Sequence, residues 1–352
     1  MNAPRKQRLV KIFLLTGKLA LAVVLVALLT QQVHWNDGVD PQTQKLVLGL
    51  KTVLAQADWV TLALAVLVMF PSSLVCAFRW RMLLAVQGVP LGPLQAVKLY
   101  LLGDLFANVL PGTIGGDAVK AYLVTRATER KGQAILSVLA DRAIGLCAVT
   151  LLAAVALAWA WGSGQIGWVA AQAPGISLAV ISAAMAAAAA MLLSTRLRRL
   201  TGLQALYSRP RFASLAATAG QAVRTYRSRP AAVIAAMLYT LVSQAMLIGS
   251  IVLIGMSLDL GAAWHRYAVG IPLVEIATAV PVTPGAVGVW EWAGQVFFAG
   301  ADPNRIFMMV LLWRAVTTAC ALPGLAVALL GPRIPRAAQM QADLETMPCS
   351  GS

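Results

Sequence analysis

Six apolar runs, each long enough to cross a bilayer, constrain this 352-residue chain more than any other feature. The hydrocarbon core of a membrane is about 30 Å thick, and a helix needs about 20 predominantly apolar residues to cross it. Since 59% of the residues are hydrophobic and only 12% are charged, the chain has too little polar surface for a soluble globule or a disordered chain. We therefore predict an all-α integral membrane protein with about six transmembrane helices. The runs occupy residues 12–30, 59–78, 133–161, 171–194, 231–256 and 306–331.

Two further apolar segments, 95–125 and 267–300, are interrupted near their middles by proline and glycine. Proline removes a backbone donor and glycine loosens a helix. The freed backbone groups are tolerated at membrane depth only beside protein or a polar cavity. We predict that both segments are re-entrant hairpins of broken helices that meet at a central polar cavity. The hairpin motifs consist of Pro111, Gly112, Gly115 and Gly116 in the first segment and Pro281, Pro284, Gly285 and Gly288 in the second.

The two hairpin motifs repeat each other. Both contain the pattern P-G-x-[I/V]-G, followed within three residues by a carboxylate. In the first half, Arg142 lies 31 residues after Pro111. In the second half, Arg314 lies 30 residues after Pro284. Three predicted spans separate the motifs, and an odd number of crossings inverts the second unit relative to the first, a construction known from secondary transporters.

The distribution of basic residues orients the chain. With a cytoplasmic N-terminus and hairpins that return to their side of entry, 21 of the 28 Lys and Arg residues lie in cytoplasmic segments and four lie outside. This asymmetry satisfies the positive-inside rule, and it counts Arg79 and Lys120 as cytoplasmic loop residues. The formal net charge of +15 then reflects orientation and attraction to an anionic leaflet rather than nucleic-acid binding. We predict a multi-pass protein of the bacterial cytoplasmic (inner) membrane with both termini cytoplasmic.

We predict one polytopic membrane domain, residues 1–336, that contains both repeats. Repeat 1 covers about 59–194 and repeat 2 covers about 231–331. The linker 195–230 carries apolar residues at helical spacing beside arginines, which is typical of an amphipathic helix on the inner leaflet; a solvated basic loop is the alternative. Residues 337–352 form a disordered tail in this interpretation.

Ionisable residues in or beside the apolar segments form the candidate site. A charge at mid-bilayer costs about 2.5–3.5 kcal/mol on insertion scales, so these side chains must face one another or the cavity. A structural interpretation pairs Asp117 with Arg142 and Glu291 with Arg314. A functional interpretation has the two arginines, one per half, receive an anionic headgroup, because a guanidinium donates to two phosphate oxygens at once. Both hold if the ligand exchanges with the internal carboxylate. The predicted substrate-binding residues are Arg142, Arg314, Asp117, Asp141, Glu291, Glu275, Lys120 and Arg79, and Asp104 is a further intramembrane carboxylate.

No catalytic or cofactor motif accompanies these charges. The sequence contains no HExxH, Walker A or G-x-S-x-G pattern. Its two histidines, His34 and His265, are far apart, and none of its four cysteines has metal-ligand spacing. We therefore expect no cofactor and no metal, and the sequence favours a non-enzymatic protein. An enzyme that uses only Asp and Glu on a lipid substrate stays open.

At these motifs the sequence resembles the lysylphosphatidylglycerol synthase transmembrane family, a flippase-like membrane domain. The resemblance covers about 10–331, and Trp290 stands where the family commonly has a basic residue. It implies lipid handling: in full-length aminoacyl-phosphatidylglycerol synthases this domain resembles a translocase, and a separate soluble domain transfers the amino acid. Only about 20 residues follow the last predicted span, so we expect that soluble domain to be absent. The matching residues are 79–81, 110–118, 141–142 and 281–291.

From the residues and the resemblance together, we predict a lipid translocase that binds an anionic headgroup in the central cavity and moves the lipid between leaflets. The expected partners are membrane lipids, either an anionic phospholipid or a polyprenyl-phosphate-linked lipid, and a homo-oligomer is compatible with the sequence. One alternative is an integral-membrane transferase acting on a polyprenyl-phosphate or aminoacyl lipid, with Asp117 or Asp141 as the base. The other is a scaffold or a carrier of a small ion.

Overall fold

The computed structural model describes residues 34–39, 46–109, 115–165, 224–279 and 286–330. Most of these residues are helical, which confirms the predicted all-α class. Two strands of two residues each, β1 (Gly38–Val39) and β2 (Leu46–Val47), pair antiparallel before the first helix. The helices are α1 (Leu50–Ala55), α2 (Trp59–Val86), α3 (Pro93–Val109), α4 (Gly115–Arg126), α5 (Lys131–Gly162), α6 (Pro230–Ser257), α7 (Trp264–Thr278), α8 (Val289–Phe297) and α9 (Pro303–Leu330).

Four of these helices, α2, α5, α6 and α9, are long and apolar enough to cross a membrane. They correspond to four of the six predicted spans. The other two predicted spans, 12–30 and 171–194, lie outside the described residues, as do the tail 337–352 and all but the end of the linker. Large apolar side chains such as those of Leu67, Val155 and Leu329 are exposed on the long helices, as expected for surfaces that face lipid.

Helix α2 begins at a polar cap and ends later than the sequence predicts. The Asp58 carboxylate accepts hydrogen bonds from the Thr61 hydroxyl at 2.5 Å and the Val60 amide at 3.0 Å, and these bonds hold the pKa of Asp58 below its usual value. The apolar run stops at Phe78, but the helix continues for eight more residues to Val86. Arg79 therefore lies inside α2 and is buried, so its placement in a cytoplasmic loop is wrong.

Each interrupted segment consists of two helices that pack against each other. In the first, a Cβ added to Gly116 of α4 would clash with the carbonyl oxygen of Gly103 on α3. A continuous helix would place these residues about 20 Å apart, so the chain folds back on itself, and the two glycines allow the close approach. In the second, a Cβ added to Gly270 of α7 would lie 3.0 Å from the Phe297 Cβ on α8. The tips of both hairpins lie outside the described residues, and with them Pro111, Gly112, Pro281, Pro284 and Gly285.

The order of elements in α2 to α5 recurs in α6 to α9: a long helix, a helical hairpin and a second long helix. The first helices of the two sets, α2 and α6, run antiparallel along one another. The Ser257 carbonyl at the end of α6 accepts from the Asp58 amide at 2.9 Å. Farther along, the Ser250 hydroxyl donates to the Ala65 carbonyl at 3.0 Å, and Arg79 donates to the Thr240 hydroxyl at 2.8 Å. These two equivalent helices thus point in opposite directions.

The packing between the two sets is also reciprocal. The last helix of each set packs against the first arm of the other set's hairpin, α5 against α7 and α9 against α3. Trp159 of α5 lies 4.9 Å from Trp264 of α7, measured between ring centroids. On the other side, Gly324 of α9 contacts the backbone of Leu101 on α3. Each hairpin is thus packed against a long helix of the other set.

Candidate functional site

The first hairpin holds a cluster of three charges. Asp117 lies in the first turn of α4, where the positive end of the helix dipole stabilises a carboxylate. It forms an ion pair with Lys120, whose Nζ lies 2.9 Å from Oδ1, and a second with Nε of Arg142 on α5. Lys120 is buried because its stem lies across Gly103, and its Nζ is 4.5 Å from the centre of the Tyr100 ring. Lys120 is therefore an interior residue and does not belong to a cytoplasmic loop.

The second hairpin holds the equivalent pair, Glu291 and Arg314. Glu291 lies in the first turn of α8 and accepts from the Gly288 amide at 2.7 Å. Arg314 on α9 donates to both carboxylate oxygens, from Nε at 2.9 Å and from NH2 at 3.3 Å, and NH2 also donates to the Ala286 carbonyl at 3.2 Å. The backbone before α8 has positive φ angles, 53° at Ala286 and 85° at Gly288. The arginine thus fastens the turn that leads into the second arm.

Both ion pairs expected from the sequence form, but the two arginines differ in exposure. The Arg142 side chain is 59% exposed, against 26% for Arg314. Arg142 lies 11 residues after the start of α5, about 17 Å along the helix. Of the two guanidinium groups, that of Arg142 is the more accessible to a ligand.

Arg79 and Asp141, both predicted substrate-binding residues, form a separate buried pair. Arg79 donates from Nε and NH2 to the two Asp141 oxygens at 2.8 and 3.0 Å, and from NH1 to the Thr240 hydroxyl. Each of the three guanidinium nitrogens thus donates a hydrogen bond, two of them to the same carboxylate. Asp141 and its sequence neighbour Arg142 therefore have different partners, and Asp141 is joined to α2 rather than to the first hairpin.

Asp104 and Glu275, both identified from the sequence, occupy equivalent positions in the two halves, which the P-G motifs did not reveal. Asp104 on α3 accepts from the Ser73 hydroxyl of α2 at 3.0 Å. On the other side, the side chain of Gln244 on α6 hydrogen bonds to Glu275 on α7. Ser73 and Gln244 are 171 positions apart, and Asp104 and Glu275 are also 171 positions apart. An internal alignment at this spacing, rather than a search for P-G motifs, would have found the correspondence.

The region beside the second ion pair is apolar. The rings of Trp290 and Trp313, neighbours in sequence of Glu291 and Arg314, lie 4.1 Å apart between centroids. They border a small cavity that is also lined by Ile271, Val274 and other apolar residues. Trp290, which stands where the resembled family commonly has a basic residue, is buried. The second half thus has apolar side chains beside its ion pair, whereas the first half has the charged residues Lys120 and Asp141 near Asp117 and Arg142.

Among the described residues, no group of three or more His, Cys, Asp or Glu side chains is placed to hold a metal ion. A family model described as the lysylphosphatidylglycerol synthase TM region matches residues 15–324 of the chain. No curated protein matches it.

Proposed function

This chain belongs to the lysylphosphatidylglycerol synthase transmembrane family, and from that membership and the geometry of the hairpins we propose that it is a lipid translocase. The family connects it with the synthesis or flipping of membrane lipids. In our proposal, an anionic headgroup enters a polar cavity between the two hairpins while the acyl or prenyl chains stay in the bilayer. The headgroup then passes between leaflets.

The observation that carries the proposal is the exposure of Arg142 inside an otherwise apolar span. Its side chain is 59% exposed, and an arginine facing hydrocarbon would be costly. A polar cavity at this point of α5 avoids that cost. The N-terminus of α4, which carries Asp117, is directed at the same place and adds a partial positive charge that favours an anion. A phosphate that displaces the Asp117 carboxylate from Arg142 would contact both the guanidinium and the N-terminus of α4.

Transbilayer movement of a labelled lipid tests the proposal. The full chain is reconstituted in phosphatidylcholine vesicles with a trace of NBD-labelled phosphatidylglycerol or NBD-labelled polyprenyl phosphate, and loss of fluorescence to dithionite reports lipid in the outer leaflet. Wild type should move at least one of the two probes, and the identity of that probe separates the two lipid classes. Arg142→Ala should slow movement to the rate of protein-free vesicles, and Arg142→Lys, which keeps the charge but loses the planar fork, should fall between.

Arg305→Ala is the matched control. Arg305 also pairs with a carboxylate, Asp259 at 3.0 Å, but Asp259 is almost fully exposed, so this variant should keep the wild-type rate. Wild-type movement in Arg142→Ala would refute the proposal. Mass spectrometry of the recovered probe tests the transferase alternative, since a translocase returns the lipid unchanged.

We also propose the membrane and the orientation. The basic segments of the chain, including Arg126, Arg130 and Lys131 around the start of α5, support a cytoplasmic location for that end of the molecule by the positive-inside rule. Both termini are then cytoplasmic, and the membrane is the bacterial inner membrane. The two repeats, about 59–194 and 231–331, form one domain in this proposal.

A further inference from the structure

Charges from both halves of the molecule converge on Arg142. In the first half, Arg142 pairs with Asp117. The positive charges of Lys120 and Arg142 also lie within electrostatic range of Asp104. From the other half, the first arm of the second hairpin packs against α5, the helix that carries Arg142. Glu275 on this arm lies within electrostatic range of Arg142. The cluster therefore contains three carboxylates and two cations.

Glu275 differs from the other two carboxylates of this cluster in its contacts. Asp117 has ion pairs with Lys120 and Arg142, and Asp104 accepts a hydrogen bond from Ser73. Glu275 has Gln244 as a neutral partner, and its Oε2 atom is shielded from solvent with no hydrogen-bond partner among the described residues. A buried oxygen without a partner is unfavourable when the carboxylate is charged.

Binding an anionic headgroup would make the net charge of this cluster more negative. With every group ionised, the five side chains carry a net charge of −1, and a monoanionic headgroup at Arg142 would bring it to −2. Asp117, displaced from Arg142, would retain Lys120 as its partner. One proton taken up with each headgroup keeps the net charge of the site unchanged. Glu275 is the proton acceptor we infer, because its carboxylate has the fewest contacts that offset a negative charge.

We propose that Glu275 is a proton-coupling site: it takes one proton from water as the headgroup binds to Arg142 and returns that proton when the headgroup leaves. The carboxylate becomes a neutral carboxylic acid, and its new O–H is available to donate a hydrogen bond. The inference rests on the proposed lipid translocation, because it concerns the binding step of the same site.

A proton fits this position better than a metal cation. Hard metal ions need several oxygen ligands around them, and among the described residues Asp104, Asp117 and Glu275 do not lie close enough together to hold one. A proton needs a single oxygen. The hairpin tips, 110–114 and 280–285, contain no titratable residue.

Among the described residues, the polar and titratable groups around this cluster lie on α2 to α7 and on α9. Apart from Glu275 and Gln244, they are Ser73, Cys76 and Arg79 on α2, Tyr100 and Asp104 on α3, Asp117 and Lys120 on α4, Asp141 and Arg142 on α5, and Cys320 on α9. Arg79 and Asp141 neutralise each other in their own pair. Glu275 and Asp104 are therefore the two carboxylates whose protonation the experiment must separate.

The test measures movement of the NBD-labelled probe as a function of pH, with equal pH on both sides and sodium replaced by choline. Once Glu275 is ionised in the free protein, the wild-type rate should fall about tenfold per pH unit, since one proton accompanies each headgroup. Glu275→Gln, which keeps position 275 uncharged at every pH, should move lipid at a rate that no longer depends on pH. Asp104→Asn should retain the wild-type slope, as should the control Glu129→Gln in the exposed turn before α5.

A second measurement needs no variant. A pH gradient across wild-type vesicles should shift the probe toward one leaflet, because lipid and proton move together. Movement without pH dependence, a wild-type slope in Glu275→Gln, loss of the slope in Asp104→Asn instead, or dependence on sodium would each overturn the assignment while leaving translocation intact. If wild type moves no lipid at any pH, the proposed function itself fails.

Discussion

The guanidinium of Arg79 holds the carboxylate of Asp141 through two hydrogen bonds, from Nε to Oδ1 at 2.8 Å and from NH2 to Oδ2 at 3.0 Å. Both side chains are buried, and NH1 of the same guanidinium donates to Thr240 of the other half at 2.8 Å. One arginine therefore ties together α2, α5 and α6. Removing one partner would leave an uncompensated charge in the interior.

We expect Asp141→Ala to lower the free energy of unfolding by about 3–5 kcal/mol, the usual cost of breaking a buried ion pair. The double variant Arg79→Met/Asp141→Leu should recover most of that loss, because it removes both charges and fills the space. Thermal unfolding in detergent, followed by tryptophan fluorescence, measures the effect. Arg305→Ala, which breaks a pair whose carboxylate is almost fully exposed, should lower stability less than Asp141→Ala does. If Asp141 acted as a catalytic base, the stable double variant would lose activity; we expect it to keep lipid movement.

The close approach of the first hairpin's arms predicts that Gly116 tolerates no side chain. A Cβ there would clash with the Gly103 carbonyl oxygen and the Ala107 side chain, and such overpacking typically costs about 1–3 kcal/mol. We expect Gly116→Ala to lower the unfolding temperature and to reduce lipid movement, because it displaces Asp117. Gly92→Ala, where a Cβ meets nothing within 4 Å, is the matched control. Equal unfolding temperatures for both variants would contradict the hairpin geometry.

The sequence predicts the spans, the helical breaks and the two ion pairs at the hairpins because these depend on local patterns. Hydropathy marks the spans, and the repeated offsets to Arg142 and Arg314 identify the pairs. The sequence wrongly places Arg79 in a loop, because a charge normally ends an apolar run. Only the fold shows that Asp141, 62 positions away, compensates the charge of Arg79. The contact between Trp290 and Trp313 is hidden from the sequence for the same reason, since the two rings lie on different helices.

The two hairpin arginines should respond differently to the same substitution. In Arg314→Lys, an ammonium group loses the geometry that holds Glu291 and the Ala286 carbonyl together, so we expect a loss of about 1–3 kcal/mol in stability. Arg142→Lys should unfold close to the wild-type temperature, because Arg142 is largely exposed, yet it should move lipid more slowly. Unfolding and lipid movement are measured on the same preparations. The reverse pattern would mean that Arg314, not Arg142, receives the headgroup.

The two ends of α2 mark opposite ends of the molecule. At one end, the Asp58 amide donates to Ser257, just before the turn at Asp259. At the other, Arg130 donates to the Gly88 carbonyl at 3.1 Å. Helix α2 has 28 residues, so these ends are about 42 Å apart, which exceeds the hydrocarbon thickness.

Cysteine labelling should therefore place the turns at residues 129 and 259 on opposite sides of the membrane. Both are exposed, so Glu129→Cys and Asp259→Cys are accessible single labels in a background whose four native cysteines are replaced by serine. In intact cells from which the outer membrane has been removed, an impermeant maleimide should label position 259 at once and position 129 only after permeabilisation. The cysteine-free parent should stay unlabelled. Labelling of both positions from one side would contradict the inversion, because α2 and the antiparallel α6 would then not cross the bilayer.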